Sequence, residues 1–334
     1  PVTGVISGTP ESDASQGGPG SDGVYSVTVT ADDGNGGTVS QTFTFTIGNP
    51  APDATDDVFT VGEDDASASV GNVITGDTGA GVDSDPDGDA LTVSAVNGAP
   101  ANVGVPVAGS TGGLFTVNPD GTVSFDPNGQ FEDLAVGETA TTTVSYTISD
   151  GQGGTDTATI TVTVTGVNDA PEVVVGSEVP DQSGNDGEPI TPVDVTGAFD
   201  DVDGDTLSYS AAGLPPGLVI DPVTGVISGT PESDASQGGP GSDGVYSVTV
   251  TATDPSGASV DQVFTFTIGN PAPDALDDGF TAAADAPASV VGNALGNDAD
   301  PDGDPLTVSA VNGAPANVGV PVAGSTGGLF TVNP

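Results

Sequence analysis

The sequence predicts an all-β chain of β-sandwich domains arranged end to end. Three observations predict it: apolar residues alternate strictly with polar ones, no segment carries helical periodicity, and long stretches of the chain repeat themselves. The alternation is clearest where Ala158, Ile160, Val162 and Val164 define one face and Thr157, Thr159, Thr161 and Thr163 the other. Phe43, Phe45 and Ile47 repeat the device against Thr42, Thr44 and Thr46, and the turns NPDG and DPVTG mark hairpins between such strands. Threonine suits the wet face because it favours extended backbone and adds no charge.

The repeats set the domain plan. Residues 1–31 recur identically at 222–252, an offset of 221, and 91–119 recur at 306–334, an offset of 215. The second copy is six residues shorter in the loop region equivalent to Asp64 through Val82, where deletion is tolerated. Two segment types alternate, each the size of one sandwich. The expected boundaries are 51–168 for the first type and 169–271 for the second, with 1–50 as the later half of the second type and 272–334 as the earlier half of the first. The chain starts at Pro1 within a hairpin and stops at Pro334 before an Asp-Gly turn. We therefore expect two closed sandwiches between about 51 and 271, flanked by incomplete ones whose missing strands belong to flanking chain or to neighbouring copies.

Charge excludes several function classes. The chain has 48 acidic residues and no Lys, Arg or His, a formal charge of −48, which removes the electrostatic footprint of nucleic-acid binding and disfavours docking on anionic lipid. There is no Cys, so neither disulfides nor thiolate zinc sites exist, and there is no apolar run long enough to insert into a membrane in this segment. Catalysis is disfavoured as well. The chain offers no His or Lys base, no Cys nucleophile and no GxSxG elbow, and its paired carboxylates are expected only in exposed acidic turns.

Those turns pose the chemical question. Asp83, Asp85, Asp87 and Asp89 fall within seven positions in DSDPDGD, and two unit charges about 4 Å apart repel by about 4 kcal/mol at an effective dielectric of 20. No cationic side chain can relieve this. Calcium can, because it takes six to eight oxygens and needs neither nitrogen nor sulfur. The loop recurs as Asp298, Asp300, Asp302 and Asp304 in DADPDGD, and as Asp201, Asp203 and Asp205 in DDVDGD. An EF-hand is excluded, since Ser94 stands at the twelfth position where a bidentate Glu is required and a strand pattern follows Gly88. The alternative is an ordinary solvated turn, which Asp, Pro and Gly also form. A second acidic set follows the penultimate strand pattern as Asp33, Asp150 and Asp254, and a third is the junction VNDAPEV, with Asn168, Asp169 and Glu172. The nonapeptide-like GGPGSDGVY at 17–25 and 238–246 stands alone before a strand in each copy, so a glycine-rich loop is expected rather than a stacked β-roll.

The VNDAP junction, the DxDGD loop and the TISDGQGGT turn resemble the tandem cadherin-like, Ig-like and VCBS-like domains of very large bacterial surface adhesins. LPPGLVIDPVTGVISGTP resembles their dystroglycan-type cadherin-like modules. The resemblance covers essentially the whole chain and makes 1–50 and 169–271 dystroglycan-type, 51–168 and 272–334 cadherin-like. It implies calcium at domain junctions, and carried over by position it groups Asn168 and Asp169 with Asp201, Asp203, Asp205 and Asp150. At the other junctions, IGNPAPDA, Asn49 and Asn270 match the junction Asn while Pro50 and Pro271 replace its Asp. Glu63 matches a family acidic position, but its counterpart is Ala284, so it is not kept as a candidate.

The functional expectation is a structural repeat region of an extracellular bacterial protein, at the cell surface or secreted. It would form a calcium-rigidified stalk or fibre for adhesion or for cell–cell and matrix assembly. Other copies of the same repeat are the expected partners, as a filament or by lateral assembly. The alternative is a ligand-binding adhesive module for carbohydrate or protein. Four Tyr and no Trp leave that alternative without the usual aromatic platform for a sugar.

Overall fold

The computed structural model describes residues 4–283, 287 and 289–334, so Pro1 and Ala284 lie outside the described residues. Two compact units divide the chain, 1–168 and 169–334. Among the described residues the regular structure is β-strand and short 3₁₀ turns, with no α-helix.

The first unit opens with a hairpin of β1 (Val24–Asp32) and β2 (Thr38–Thr46), paired from Val24↔Thr46 to Asp32↔Thr38. The GGPGSDG segment ahead of it forms turns, as a glycine-rich loop should. Next come β3 (Asp57–Gly62), β4 (Ala68–Asn72), β5 (Thr92–Val96), β6 (Val107–Ala108), β7 (Leu114–Val117), β8 (Thr122–Asp126), β9 (Thr139–Ser149) and β10 (Thr155–Thr165). They make two four-stranded sheets, β3-β10-β9-β5 and β4-β8-β7-β6. The predicted inward face is the observed one: Ile160, Val162 and Val164 are buried completely, while the intervening threonines reach solvent. Phe115 and Phe125 meet edge to face at 4.8 Å in the centre of this core. The NPDG turn closes β7 onto β8 with Gly121 at φ 82°, a conformation that a side chain resists.

The second unit contains β11 (Glu172–Val173), β12 (Gln182–Asn185), β13 (Val193–Asp194), β14 (Phe199–Asp200), β15 (Ser208–Ala212), β16 (Leu218–Ile220), β17 (Val226–Gly229), β18 (Val245–Thr253) and β19 (Ser259–Gly269). A four-stranded sheet, β12-β19-β18-β15, faces the three-stranded β13-β17-β16 across a core built on Val248, Val250, Phe266 and Ile227. Both large sheets share one device: the first strand runs parallel to the last, β3 beside β10 and β12 beside β19. In 272–334 the only regular pair among the described residues is β20 (Val322–Ala323) with β21 (Leu329–Phe330).

Identical sequence behaves differently in the two copies. TVSAV forms β5 at 92–96, where β9 pairs with it, but its repeat at 307–311 belongs to no strand. Phe115 is fully buried while its counterpart Phe330 is 57% exposed. Strand formation here depends on the neighbour that supplies hydrogen bonds and cover, not on local propensity alone. The same rule governs the first hairpin. Phe43 and Ile47 are half-buried and Phe45 is exposed, so the alternation is present but its apolar face is not covered.

Candidate metal centres

In each of the two sandwiches the acidic loop sits at the end where the chain enters the domain. In the first unit, Asp53 bridges Ser84, and Thr92 pairs with Ser149, so the loop ending at Asp89 and the turn at Asp150 leave the same end of one sheet. Asp85 folds the loop: its Oδ1 accepts from the backbone N–H groups of Asp87, Gly88 and Asp89 at 3.0–3.2 Å, and Gly88 takes φ 87°. This is the turn chemistry expected of Asp and Gly. It also gathers charge, since carboxylate oxygens of Asp85, Asp87 and Asp89 all lie within 4.8 Å of one another.

The electrostatic consequence is direct. Asp87 is pushed up to about 6, first because its carboxyl stands close enough to Asp85 to share a proton, then by burial and by the charges of Asp85 and Asp89. Asp85 is lowered by the same shared hydrogen bond. Residues from the 1–50 segment reach the same end. Gln16 Nε2 donates to both oxygens of Asp89 at 2.9 and 2.8 Å, and Asn49 Nδ2 donates to Asp150 Oδ2 at 2.7 Å. The Asp150 turn is closed by N–H donation from Gln152 and Gly154 to Oδ1.

The second unit repeats the arrangement. Asp201, Asp203 and Asp205 bring carboxylate oxygens within 4.8 Å of one another, and Gly204 takes φ 74° in the turn. Asp201 Oδ1 accepts from the Asp205 N–H at 3.3 Å, and Asp203 Oδ2 accepts from the Asp169 N–H at 2.9 Å. Asp201 Oδ2 and Asp203 Oδ1 are buried with no hydrogen-bond partner. Burial raises Asp205, with help from the charges of Asp201, Asp203 and Asp254. Asp254 occupies a turn built like that of Asp150, its Oδ1 accepting from Gly257 and Ala258.

The third loop has the same form. Asp300 Oδ1 accepts from the N–H groups of Asp302 and Asp304, Asp302 is raised and Asp300 lowered by their mutual hydrogen bond, and Gly303 takes φ 88°. Asp302 packs its backbone so closely on Gly187 that a Cβ there would lie 2.8 Å from the Asp302 Cα.

Several sequence expectations are corrected. The carry-over that joined Asp150 to Asn168 and Asp169 does not hold, because Asp150 precedes the eleven-residue β10 and Asn168 follows it, a separation of about 35 Å along the strand. Asp150 stands with Asn49, and Asp254 is the residue beside Asp205. Asp83 does not join the cluster that follows it. Its carboxylate is committed to the Thr55 N–H, the Thr55 hydroxyl and the Tyr146 hydroxyl, and Asp298 likewise accepts from the Leu276 N–H. Asp33 is exposed, is held low by the Asn35 and Gly37 N–H groups, and joins no acidic group of three among the described residues.

Paired carboxylates also occur outside exposed turns. Asp57 is fully buried on β3 and Asp83 is 6% exposed, and the Tyr146 hydroxyl lies 3.1 Å from the first and 3.0 Å from the second. Burial drives Asp57 up to about 6 and also raises Asp83.

Two further buried acidic residues stand at these sites, Glu63, which the sequence comparison of the two copies sets aside, and Asp186, which the sequence reading does not single out. Glu63 is 2% exposed, and its Oε1 accepts from the Val167 N–H where the chain leaves β10. Asp186 is fully buried, its Oδ2 accepting from the Ser236 N–H while Oδ1 has no partner, next to the Gly187 on which Asp302 packs. The available signal was an acidic residue directly after the first strand of each domain, in VGED and GNDG.

The clusters fit a hard cation. Their ligand atoms are carboxylate oxygens, and buried oxygens at Asp201 and Asp203 have no hydrogen-bond partner.

Comparison with known proteins matches this architecture domain by domain. Residues 49–166 match the family model "Bacterial cadherin-like domain", 1–48 and 172–269 match "Putative Ig domain", and 270–334 match "Bacterial Ig domain". No curated protein matches the chain. Among solved structures, human CDH23 EC21–23 is 17% identical with a TM-score of 0.47, covering 77% of this chain and 81% of that one. Mouse Cadherin-23 EC22–24 is 15% identical with a TM-score of 0.43, covering 73% and 74%. The chain carries bacterial cadherin-like and Ig-like domains in tandem.

Proposed function

We propose that the chain is a structural repeat region of a large extracellular bacterial surface protein, and that calcium bound by its acidic loops stiffens the junctions between modules. The role is non-catalytic: a stalk or fibre that carries adhesion or assembly functions. The observation that carries this reading is the meeting at one end of a sandwich of the Asp85–Asp87–Asp89 cluster with Asn49 and Gln16 from the preceding segment. A cation held there fixes the carboxylate cluster, to whose Asp89 the preceding segment is hydrogen-bonded through Gln16, as it is to the neighbouring Asp150 through Asn49. It stabilises the folded arrangement over any in which the two sides of the junction separate.

The acidic composition supports the same reading, since a chain with no Lys, Arg or His must take its positive charge from solution. Extracellular modules of this kind bind calcium with dissociation constants of about 10⁻⁴ to 10⁻³ M, so millimolar calcium suffices. Small-angle scattering of the full chain in calcium and in chelator tests the proposal. A longer and narrower distribution of interatomic distances in calcium supports it, and identical profiles contradict it.

A further inference from the structure

We propose that Asn128 is a modification site: its side-chain amide is lost spontaneously to water, and the turn that carries it is remade with aspartate or isoaspartate. The chain holds four Asn–Gly pairs, at 35, 97, 128 and 312. Two of them, Asn97–Gly98 and Asn128–Gly129, lie in the sandwich built from β3 to β10. Their local chemistry is alike, because a following glycine shields neither amide with a side chain. The fold treats them differently.

Asn128 and Gly129 are the central residues of the turn that follows β8. Both take positive φ, 57° and 60°, and the Gln130 N–H donates to the Pro127 carbonyl across them at 3.3 Å. Asn-Gly is the pair that this mirror-image turn favours. Both residues are exposed, and a Cβ at Gly129 would meet nothing within 4 Å. The Asn128 backbone N–H donates to Asp126 Oδ1 at 2.9 Å, but among the described residues neither the Asn128 side-chain amide nor the Gly129 N–H has a hydrogen-bond partner. Asn97 is exposed as well and also takes positive φ, 47°. Its side chain is held. Oδ1 accepts from the Ser145 N–H at 3.0 Å, while the Asn97 N–H donates to the Ser145 carbonyl at 2.8 Å.

The reaction needs only water. The Gly129 nitrogen attacks Asn128 Cγ, and the new C–N bond closes a cyclic imide. The Cγ–Nδ2 bond breaks, and ammonia leaves with the proton that the Gly129 nitrogen gives up. Water then opens the imide at one of its two carbonyls. Opening at Cγ leaves aspartate; opening at the main-chain carbonyl leaves isoaspartate, whose main chain runs through the former side chain and is one carbon longer. An asparagine whose amide is held must first break that hydrogen bond, which slows the attack at Asn97.

The next two residues carry the effect into the sandwich. Gln130 Oε1 accepts from the Gly113 N–H at 3.2 Å, and Phe131 is 4% exposed in the core. A longer main chain at 128 displaces both. No residue of the acidic clusters takes part, so this inference stands apart from the calcium reading.

The experiment keeps the full chain in heavy-oxygen water and chelator at mildly alkaline pH, with a second sample in concentrated urea, and follows both sites by peptide-map mass spectrometry. In the folded chain Asn128 is expected to gain the mass of the acid and the heavy oxygen first. Asn97 should be slower by about fivefold, the factor that corresponds to one ordinary hydrogen bond. In urea, where Ser145 no longer holds Asn97, the two sites should react at similar rates. Hydrogen exchange at the Gly113 N–H should rise with the isoaspartate fraction. Equal rates at the two sites in the folded chain, faster reaction at Asn97, or an Asn128 that stays intact would overturn the proposal. Exchange at Gly113 that does not follow the isoaspartate content would overturn its structural consequence.

Discussion

The side-chain amide of Asn49 donates to the carboxylate of Asp150 at 2.7 Å across 101 positions of sequence, and so ties the segment that enters the sandwich to the turn between its two longest strands. The bond to a charged acceptor that is 5% exposed contributes roughly 1.5–3 kcal/mol. Asn49→Ala should therefore lower the thermal midpoint of the first unit and speed proteolytic cleavage near Pro50. Unchanged cleavage would show that Asn49 does not hold the junction.

In the second unit, Asp203→Asn with Asp205→Asn should loosen the chain around Asp169 and leave the sandwich folded. Asp203 accepts the Asp169 N–H, whereas the core rests on Val248, Val250 and Phe266. Hydrogen exchange reads this out. Faster exchange confined to residues near Asp169 is expected, and loss of protection throughout β18 and β19 would reject the assignment.

The Asp57–Tyr146–Asp83 cluster predicts a pH dependence. Asp57 is raised in the folded chain to about 6 from an ordinary 3.8, so between these values the folded state binds more protons than the unfolded one. Stability must then fall as pH rises from about 4 to 6 and level off above. Asp83, also raised, adds in the same direction. Asp57→Asn should flatten this slope in urea melts of the full chain. A variant with the parental slope would show that Asp57 is not its source.

Gly187→Ala should disturb the loop at Asp302 as well as the turn that contains Gly187. The added Cβ would meet the Asp302 Cα at 2.8 Å, and Gly187 sits at φ 68°. The conformational part alone costs about 1 kcal/mol. Increased hydrogen exchange at Asp300–Asp304 is the expected readout, and parental exchange there would contradict the close packing.

Much of this was legible in the sequence, for physical reasons that also mark its limits. The alternation of β10 reports directly which face is buried, because side chains in a strand alternate sides and only one side meets the core. The carboxylates of the DxDGD loops are adjacent in sequence, so their crowding is local and readable. The parallel pairing of β3 with β10 is not readable, since it joins residues about a hundred positions apart. Nor is the division of labour between Asp56 and Asp57. One lies outward and accepts from the Thr159 N–H, the other lies inward under Tyr146, and only the register of β3 decides which. Asp150 was paired with the wrong junction because the family pattern names a residue type without fixing the end of the strand from which it projects.

The central claim is that these loops bind calcium and that binding stabilises the fold, and calorimetric titration of the full chain with calcium at neutral pH tests it most directly. Saturable binding with dissociation constants of about 10⁻⁴ to 10⁻³ M is predicted, with heat lost in proportion when Asp85→Asn and Asp87→Asn, or Asp203→Asn and Asp205→Asn, are introduced. A titration without saturable heat in this range, or one that these substitutions leave unaltered, would contradict it.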